Sequence, residues 1–476
     1  MSTSLRVLRF PNFRYLFLGQ SASSVGDQVV IVALALYVTE RTGSATDLGF
    51  VLAAQALPLI ALILFGGVWA DRFGGKGRRR IMIGADCIRA GLHLTLAILI
   101  FAGGASVVEM IVIEALFGAA RAFFNPAYAG LIPQTVGDDH VQEAQALSGL
   151  TANLAIMIGP AIGTALVLTV GAGAAFALDA ATFLVSAGLL TRVHPRARGA
   201  ERNRETVVQA LRAGFGEVAS RPWVWATIAA FCVAVLCSYS QWYSLAPSIA
   251  KEFYGGADRF GVLESVAGSG AVLGAVIGMR WRPKRPLMLG LALILSWPLQ
   301  DLAFATLQPF AAVIVLAFSV GLTFALFEIW WETALVRHIP ADALSRVSSY
   351  DWMGSLALLP LGFAIAGPIA SVVGARTVLG VGAGVTFVTL LAAMTPRSTR
   401  TLSLGSAEQV ADHVVEELRG EAEIAHVDSL VGVVHQRVGL EQALMAHREE
   451  PVGRALRERT AEPRRVREGG QDQRHG

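Results

Sequence analysis

Twelve stretches of the chain run apolar for roughly the 20 residues that a helix needs to cross a bilayer. They centre near Asp27, Ile60, Leu92, Gly118, Met157, Phe183, Val235, Ala271, Leu295, Val320, Leu361 and Thr386. Spans one to six run from about Phe13 to Leu190, and spans seven to twelve from about Trp223 to Met394. Between them His194 to Arg221 is polar and basic. There Glu205-Thr206-Val207-Val208, leading into Leu211 and Phe215, predicts a short amphipathic helix on the inner surface, closed by Arg221-Pro222. After Pro396 the chain turns rich in Glu, Arg, Gln and His, with a weak helical pattern at Val410 to Leu418. This end reads as a cytoplasmic, partly disordered tail. The expected division is therefore an N-terminal six-helix half (1–192), a cytoplasmic connection (193–222), a C-terminal six-helix half (223–395) and a tail (396–476).

Composition agrees with this pattern. Of 476 residues, 54% are hydrophobic and 16% charged, against about 25% charged in soluble proteins. The mean hydropathy is +0.54. A net charge of +3 conceals an asymmetry. Arg6, Arg9 and Arg14 precede the first span, and Arg72, Lys76, Arg78, Arg79 and Arg80 fill the second-to-third loop. Arg192, Arg196, Arg198, Arg202 and Arg204 lie in the middle connection; Arg280, Arg282, Lys284 and Arg285 follow the eighth span. Alternate loops hold only scattered cations such as Arg41, Lys251, Arg259 and Arg376. The positive-inside rule then places both termini in the cytoplasm of a multi-pass plasma-membrane protein, with an even number of spans. These cations are topology signals, not a nucleic-acid surface. The first apolar stretch lacks a small-residue cleavage site and is expected to remain as a helix. Cys87, Cys232 and Cys237 fall inside spans and read as packing residues, neither disulfide nor metal ligands.

The chain is also doubled. Ile132-Pro133 followed by Gly159-Pro160-Ala161-Ile162 recurs as Ile339-Pro340 followed by Gly367-Pro368-Ile369-Ala370. The proline spacings are 27 (160−133) and 28 (368−340), and the offsets 207 (340−133) and 208 (368−160). Two similar apolar halves about a central pathway are how many secondary transporters are built.

Between spans two and three stands Gly67-Val68-Trp69-Ala70-Asp71-Arg72-Phe73-Gly74-Gly75-Lys76, then Arg78-Arg79-Arg80. This resembles the signature loop of the major facilitator superfamily, departing from it in the glycines Gly75 and Gly77 spaced through the basic cluster. Gly67 would allow close helix approach, while Asp71 and Arg72 could latch the cytoplasmic side in one state. The resemblance implies that the latch, with Gly74 at its turn, meets the start of the eleventh span, where Arg346 and Asp351 lie. Offset by 207, the second copy has lost the acid: Asp71 becomes Gly278 and Arg72 becomes Met279. Gly159-Pro160-Ala161-Ile162-Gly163 looks like the core of a motif shared by antiporters of the superfamily, though Ala146 and Ala155 stand where its upstream glycines would be. Gly159, Pro160, Gly163, Gly367 and Pro368 are thus expected to kink and pack helices closely.

Candidate chemistry lies on the spans. Gln20, Ser24 and Asp27, at i, i+4 and i+7, share a face. Asp27 near mid-membrane must pair, face a cavity or take a proton, because an ionised carboxylate there costs about 2.5–3.5 kcal/mol. It is the candidate site for a coupling proton or a cationic substrate, with a satisfied structural carboxylate as the rival. Glu114, Phe117, Arg121 and Phe124 form one stripe on the fourth span; the offset maps them to Gly321, Phe324, Glu328 and Trp331 on the tenth. In the superfamily the first, fourth, seventh and tenth spans line the cavity. Arg121 and Glu328 are therefore expected to oppose each other, walled by Phe117, Phe124, Phe324 and Trp331, with Tyr239, Gln241 and Trp242 as further wall candidates. Asp86 and Arg89, three apart, predict a local pair. Asp179 and Asp301 are expected near the outer ends, close to water. Trp223 and Trp225 fit an interfacial aromatic belt.

The opening Leu8-Arg9-Phe10-Pro11-Asn12-Phe13-Arg14 with Asp27, and Phe124-Asn125-Pro126-Ala127 before Ile132-Pro133, look like the branch of macrolide-efflux and enterobactin-exporter proteins. The resemblance implies an all-α, twelve-helix transporter with two pseudo-symmetric halves. It also implies proton-driven export of a small amphipathic drug- or siderophore-like molecule by alternating access, acting as a monomer in the bilayer. An importer, a lipid flippase or a transporter-like receptor signalling through the tail are the alternatives. No phosphate-binding Gly-Lys-Ser/Thr loop and no nucleophile or metal cluster is present in the sequence, so neither ATP hydrolysis, an enzyme nor a cofactor is expected.

Overall fold

A computed structural model describes residues 4–403 apart from 73, 138–139, 197–214, 279, 282 and 340. Among the described residues all regular structure is helical. The first six spans are Pro11–Thr42, Ala45–Arg72, Gly74–Phe101, Val107–Leu131, Val141–Thr169 and Ala172–Leu190. The seventh joins Pro222–Ala234 to Ser240–Phe253 through a π turn at Val235–Tyr239. The eighth is Asp258–Gly278, the ninth Pro286–Leu293 with Ser296–Ala305, the tenth Phe310–His338. The eleventh includes Leu359–Val373, preceded by Ala341–Leu356, and the twelfth is Ala375–Ala393. Eleven of these stretches are long and apolar enough to cross a membrane on their own account. The fourth, 25 residues long, adds the twelfth crossing and carries Glu109, Glu114 and Arg121.

Local signals mark the ends. Pro11, Pro222 and Pro286 begin helices where their missing N–H costs nothing. Gly43, at φ 65°, closes the first span in the left-handed region. Ser106 and Glu109 form a reciprocal capping box at the start of the fourth. The proposed tail boundary falls a few residues early: Arg397–Thr401 is helical, and Thr399 and Leu402 are buried against the second half. Of the amphipathic helix expected in the middle connection, 197–214 lies outside the described residues and 215–219 is helical.

Among the described residues the cores of the two halves meet at one end only. At the end of the molecule that carries the turn at Gly43, a single buried cluster joins Leu36, Leu48 and Met110 of the first half to Leu245, Phe260 and Phe363 of the second. At the opposite end, the first half has its own core around Phe13, Met82 and Leu131. The second has another around Trp223, Leu335 and Leu390. The join rests on glycines. A Cβ at Gly49 would overlap the Phe363 carbonyl, one at Gly367 would overlap Thr46, and one at Gly261 would overlap Thr164. The second and fifth spans thus lie backbone-close to the eleventh and eighth.

Gly159 and Gly163 work within the first half, where a Cβ would overlap Gln28 and the Val29 carbonyl of the first span. The doubling extends to side chains here. Thr164 Oγ1 donates to the Pro160 carbonyl at 2.8 Å, and Ser371 Oγ to that of Pro368 at 2.7 Å, so each hydroxyl satisfies a carbonyl in its proline-bearing helix.

Candidate functional site

The third span carries Asp86, Arg89 and His93 on one stripe, at i, i+3 and i+7. All three are buried, at 0%, 2% and 0% exposure, which only mutual pairing makes tolerable. Arg89 Nη2 bonds the Asp86 carboxylate, as the spacing predicts. Its Nη1 lies 4.0 Å from Asp27 Oδ2 on the first span. The guanidinium sits 4.2 Å from the ring centres of both Phe124 and Phe183, so cation–π contact replaces much of the water it has lost.

One turn along, His93 Nδ1 stands 2.5 Å from Asp179 Oδ2 of the sixth span, and Nε2 faces Glu114 Oε1 of the fourth at 3.7 Å. Phe117 stacks on the imidazole at 4.1 Å, nearly parallel. Gln55 Nε2 donates to Glu114 Oε2 at 2.7 Å. Ser186 Oγ donates to Asp86 Oδ2 at 2.7 Å and accepts from Gln20 Nε2 at 3.0 Å. Glycines set this geometry too: a Cβ at Gly26 would overlap Asp179 and Thr182, and one at Gly19 would crowd Ser186.

Among the described residues a cleft and a groove border the network. A narrow cleft is lined by Asp27, Gln55, His93, Phe117 and Arg121 with apolar neighbours. A wider groove is lined by Gln20, Ser24, Phe17, Tyr128 and residues of the fifth span. Four carboxylates (Asp27, Asp86, Glu114, Asp179) thus face three cations (Arg89, Arg121 and His93 when charged). The acids exceed the cations, and in a bilayer such a surplus favours proton uptake.

Several sequence expectations require correction. Asp179 and Asp301 are not near water: both are fully buried. Asp179 is held by His93, and Asp301 accepts a hydrogen bond from Ser238 in the π turn. The opposition of Arg121 and Glu328 across the cavity stays an expectation: among the described residues no ion pair joins them. Arg121 instead comes within electrostatic reach of Tyr239, across the halves, while the charged neighbours of Glu328 are Glu332 and Asp351. Trp331, expected as a cavity wall, turns instead into the second half's core, 4% exposed, and donates from Nε1 to Asp351 at 2.8 Å. Phe124 is no cavity wall either, being 4% exposed beneath Arg89. Gln241 is buried, and its Nε2 donates to the Leu236 carbonyl at 3.0 Å. Trp242 is buried with Nε1 on Glu264 at 2.8 Å. Tyr239 stacks on Tyr243 at 4.7 Å, and the Tyr243 hydroxyl donates to Glu264 at 2.8 Å. Trp225 is exposed, as a belt residue should be, but Trp223 is buried against Trp331.

The side chains of the candidate latch at Gly67, Asp71, Arg72 and Gly74, and that of Arg346, lie outside the described residues. Asp351 is engaged within its own half. His93 and Glu264 were absent from the sequence candidates. The signal that could have found them is the cost of any ionisable group inside a long apolar segment.

Residues 2–285 match the family described as transmembrane secretion effector, within the major facilitator superfamily. The chain belongs to this family. A multidrug efflux pump, Tap, of Mycolicibacterium fortuitum is 26% identical over 418 residues, covering 84% of this chain and 98% of that protein. The putative bacilysin exporter BacE of Bacillus subtilis is 25% identical, covering 57% and 67%. Among solved structures, the nucleoside transporter NupG superposes with a TM-score of 0.61 at 12% identity, over 81% of this chain and all of that one. A D-xylose–proton symporter gives 0.59 at 14% identity, over 84% and 100%. At such identities these neighbours bear on the fold alone. The protein is an all-α, multi-pass major facilitator transporter with two six-helix halves.

Proposed function

We propose that this transporter exports a small amphipathic molecule in exchange for protons, working by alternating access of its halves. The observation that carries the reading is the buried acid surplus of the first half, reached through the cleft at Asp27. A carboxylate network that borders a cleft and lacks enough cations gains by binding a proton when that cleft faces the acidic side, and can release it on the other. The driving force is adequate, since one charge crossing 100 mV releases roughly 2.3 kcal/mol. If both termini are cytoplasmic, the end at which the half-cores stand apart faces inward, where an exporter collects its cargo.

Export, as against import, is favoured by the likeness to proteins named as efflux pumps and exporters. Asp27 and Arg121 in the cleft, with Gln20 and Ser24 in the groove, are the residues assigned to proton and substrate. The reading is tested in null and overexpressing strains challenged with antibiotics and siderophores, comparing wild type with Asp27→Asn at equal membrane abundance. Resistance to at least one compound that is lost in Asp27→Asn is the expected result. Resistance and pH dependence unchanged in Asp27→Asn would overturn the role of that carboxylate.

A further inference from the structure

The groove between the first, fourth and fifth spans is lined by Gln20, Ser21, Ser24, Gln145, Thr151 and the ring of Tyr128, among others. Among the described residues no charged side chain lines it. This contrasts with the cleft where Asp27, His93 and Arg121 converge. A charged ligand in the groove would lose water without meeting a counter-charge, whereas hydroxyls and amides would find partners and a flat ring would find Phe17 and Tyr128. One lining residue also belongs to the proton network: Gln20 donates to Ser186, and Ser186 donates to Asp86. The close seat of Gly19 against Ser186 holds the first and sixth spans in register there.

We propose that the groove takes uncharged amphipathic molecules bearing hydroxyl or amide groups and an aromatic ring, and that Gln20 and Ser186 transmit occupancy to Asp86. The proposal rests on the proton-exchange reading above. The sign follows from hydrogen-bond cooperativity. A ligand donor on the Gln20 carbonyl oxygen polarises the amide and strengthens its bond to Ser186. The Ser186 hydroxyl then donates more strongly to Asp86, which favours the ionised form of the Asp86–Arg89–Asp27 group, and the proton held there leaves from Asp27 to water in the cleft. Substrate arrival and proton departure are thereby linked, as exchange requires. Ser186 is a positioning residue here, touching neither ligand nor bulk water.

The test uses the full chain in proteoliposomes with chloramphenicol as an uncharged probe carrying hydroxyls, an amide and a ring, and tetraphenylphosphonium as a cationic one. Two quantities are read for each variant: equilibrium exchange without a gradient, and accumulation driven by an imposed pH gradient with proton flux followed by a trapped dye. Wild type is expected to exchange chloramphenicol in preference to tetraphenylphosphonium and to move protons with it. In Ser186→Ala and Gln20→Leu, gradient-driven accumulation divided by each variant's own exchange rate should fall about tenfold or more, within the usual range of coupling between linked sites. Normalising to exchange removes losses due to folding. Preference for the cation would overturn the ligand class. A wild-type proton flux that survives undiminished in both variants would overturn the relay. Chloramphenicol exchange with no proton flux in wild type would instead overturn the proton-exchange reading on which the relay depends.

Discussion

His93 of the third span places Nδ1 2.5 Å from Asp179 Oδ2 of the sixth, with Glu114 of the fourth on the other side of the ring. Three helices of one half are thus tied at mid-depth through a single imidazole. Removing it leaves two buried carboxyl groups without the imidazole that lies between them. His93→Ala should therefore destabilise the purified transporter by about 3–5 kcal/mol, the usual cost of breaking a buried pair from one side. A denaturation midpoint in detergent checks this, and His93→Ala in an Asp179→Asn background should cost markedly less than in wild type.

Gly367 and Gly159 occupy corresponding places in the two halves but meet different partners: Gly367 meets Thr46 across the join, and Gly159 meets Gln28 within its own half. Gly367→Leu should push the halves apart at the shared core and raise the share of molecules open at that end. Gly159→Leu should lower stability, by about 1–3 kcal/mol as overpacking does, with little change in that distance. Spin labels at Ala102 and Gln308, in a background with the three native cysteines replaced by alanine, read the separation directly.

Lys251 spans the same join more loosely. Its Nζ is 3.2 Å from Glu40 Oε2 and 3.2 and 3.4 Å from the Thr39 and Glu40 carbonyls at the end of the first span. The ion pair is exposed, so Glu40→Gln should shift the opening equilibrium by no more than about 1 kcal/mol. Lys251→Gln should shift it further, because it also uncovers a helix C-terminus. The same label pair, measured with and without salt, distinguishes the two.

Trp331 donates to Asp351 in a corner that also holds Glu328 and Glu332. Trp331→Phe keeps the packing and removes the donor, which should lower stability by about 1–3 kcal/mol. In Asp351→Asn the like-charge crowding is relieved, and a melting temperature at or above wild type is expected.

The twelve spans were legible because a bilayer demands long apolar segments, and the centres near Asp27, Gly118 and Phe183 each fall inside a helix. The duplication was legible through prolines, and it reaches Thr164 and Ser371, an offset of 207 (371−164), in their hydrogen bonds. Much of the site was hidden, because its pairs join distant parts of the chain: His93 to Asp179 spans 86 positions, and Gln20 to Ser186 spans 166. Helical periodicity says which residues share a face, not which helix that face meets. The aromatic stripe at Phe124 and Trp331 misled for this reason: both rings turned into the cores of their own halves. A sharper signal lay in the offset itself. His93, Glu114 and Asp179 map to Gln300, Gly321 and Thr386 (each +207), so the second half carries neutral residues where the first carries its ionic network.

Everted membrane vesicles, with the cytoplasmic face outward, test the central claim most directly. With an imposed acid interior, the account predicts that a compound identified by the resistance panel accumulates inside. That accumulation should collapse when the gradient is dissipated, and should be absent in Asp27→Asn despite normal abundance. Accumulation that ignores the gradient, or net movement out of the vesicles with the protons, would contradict it.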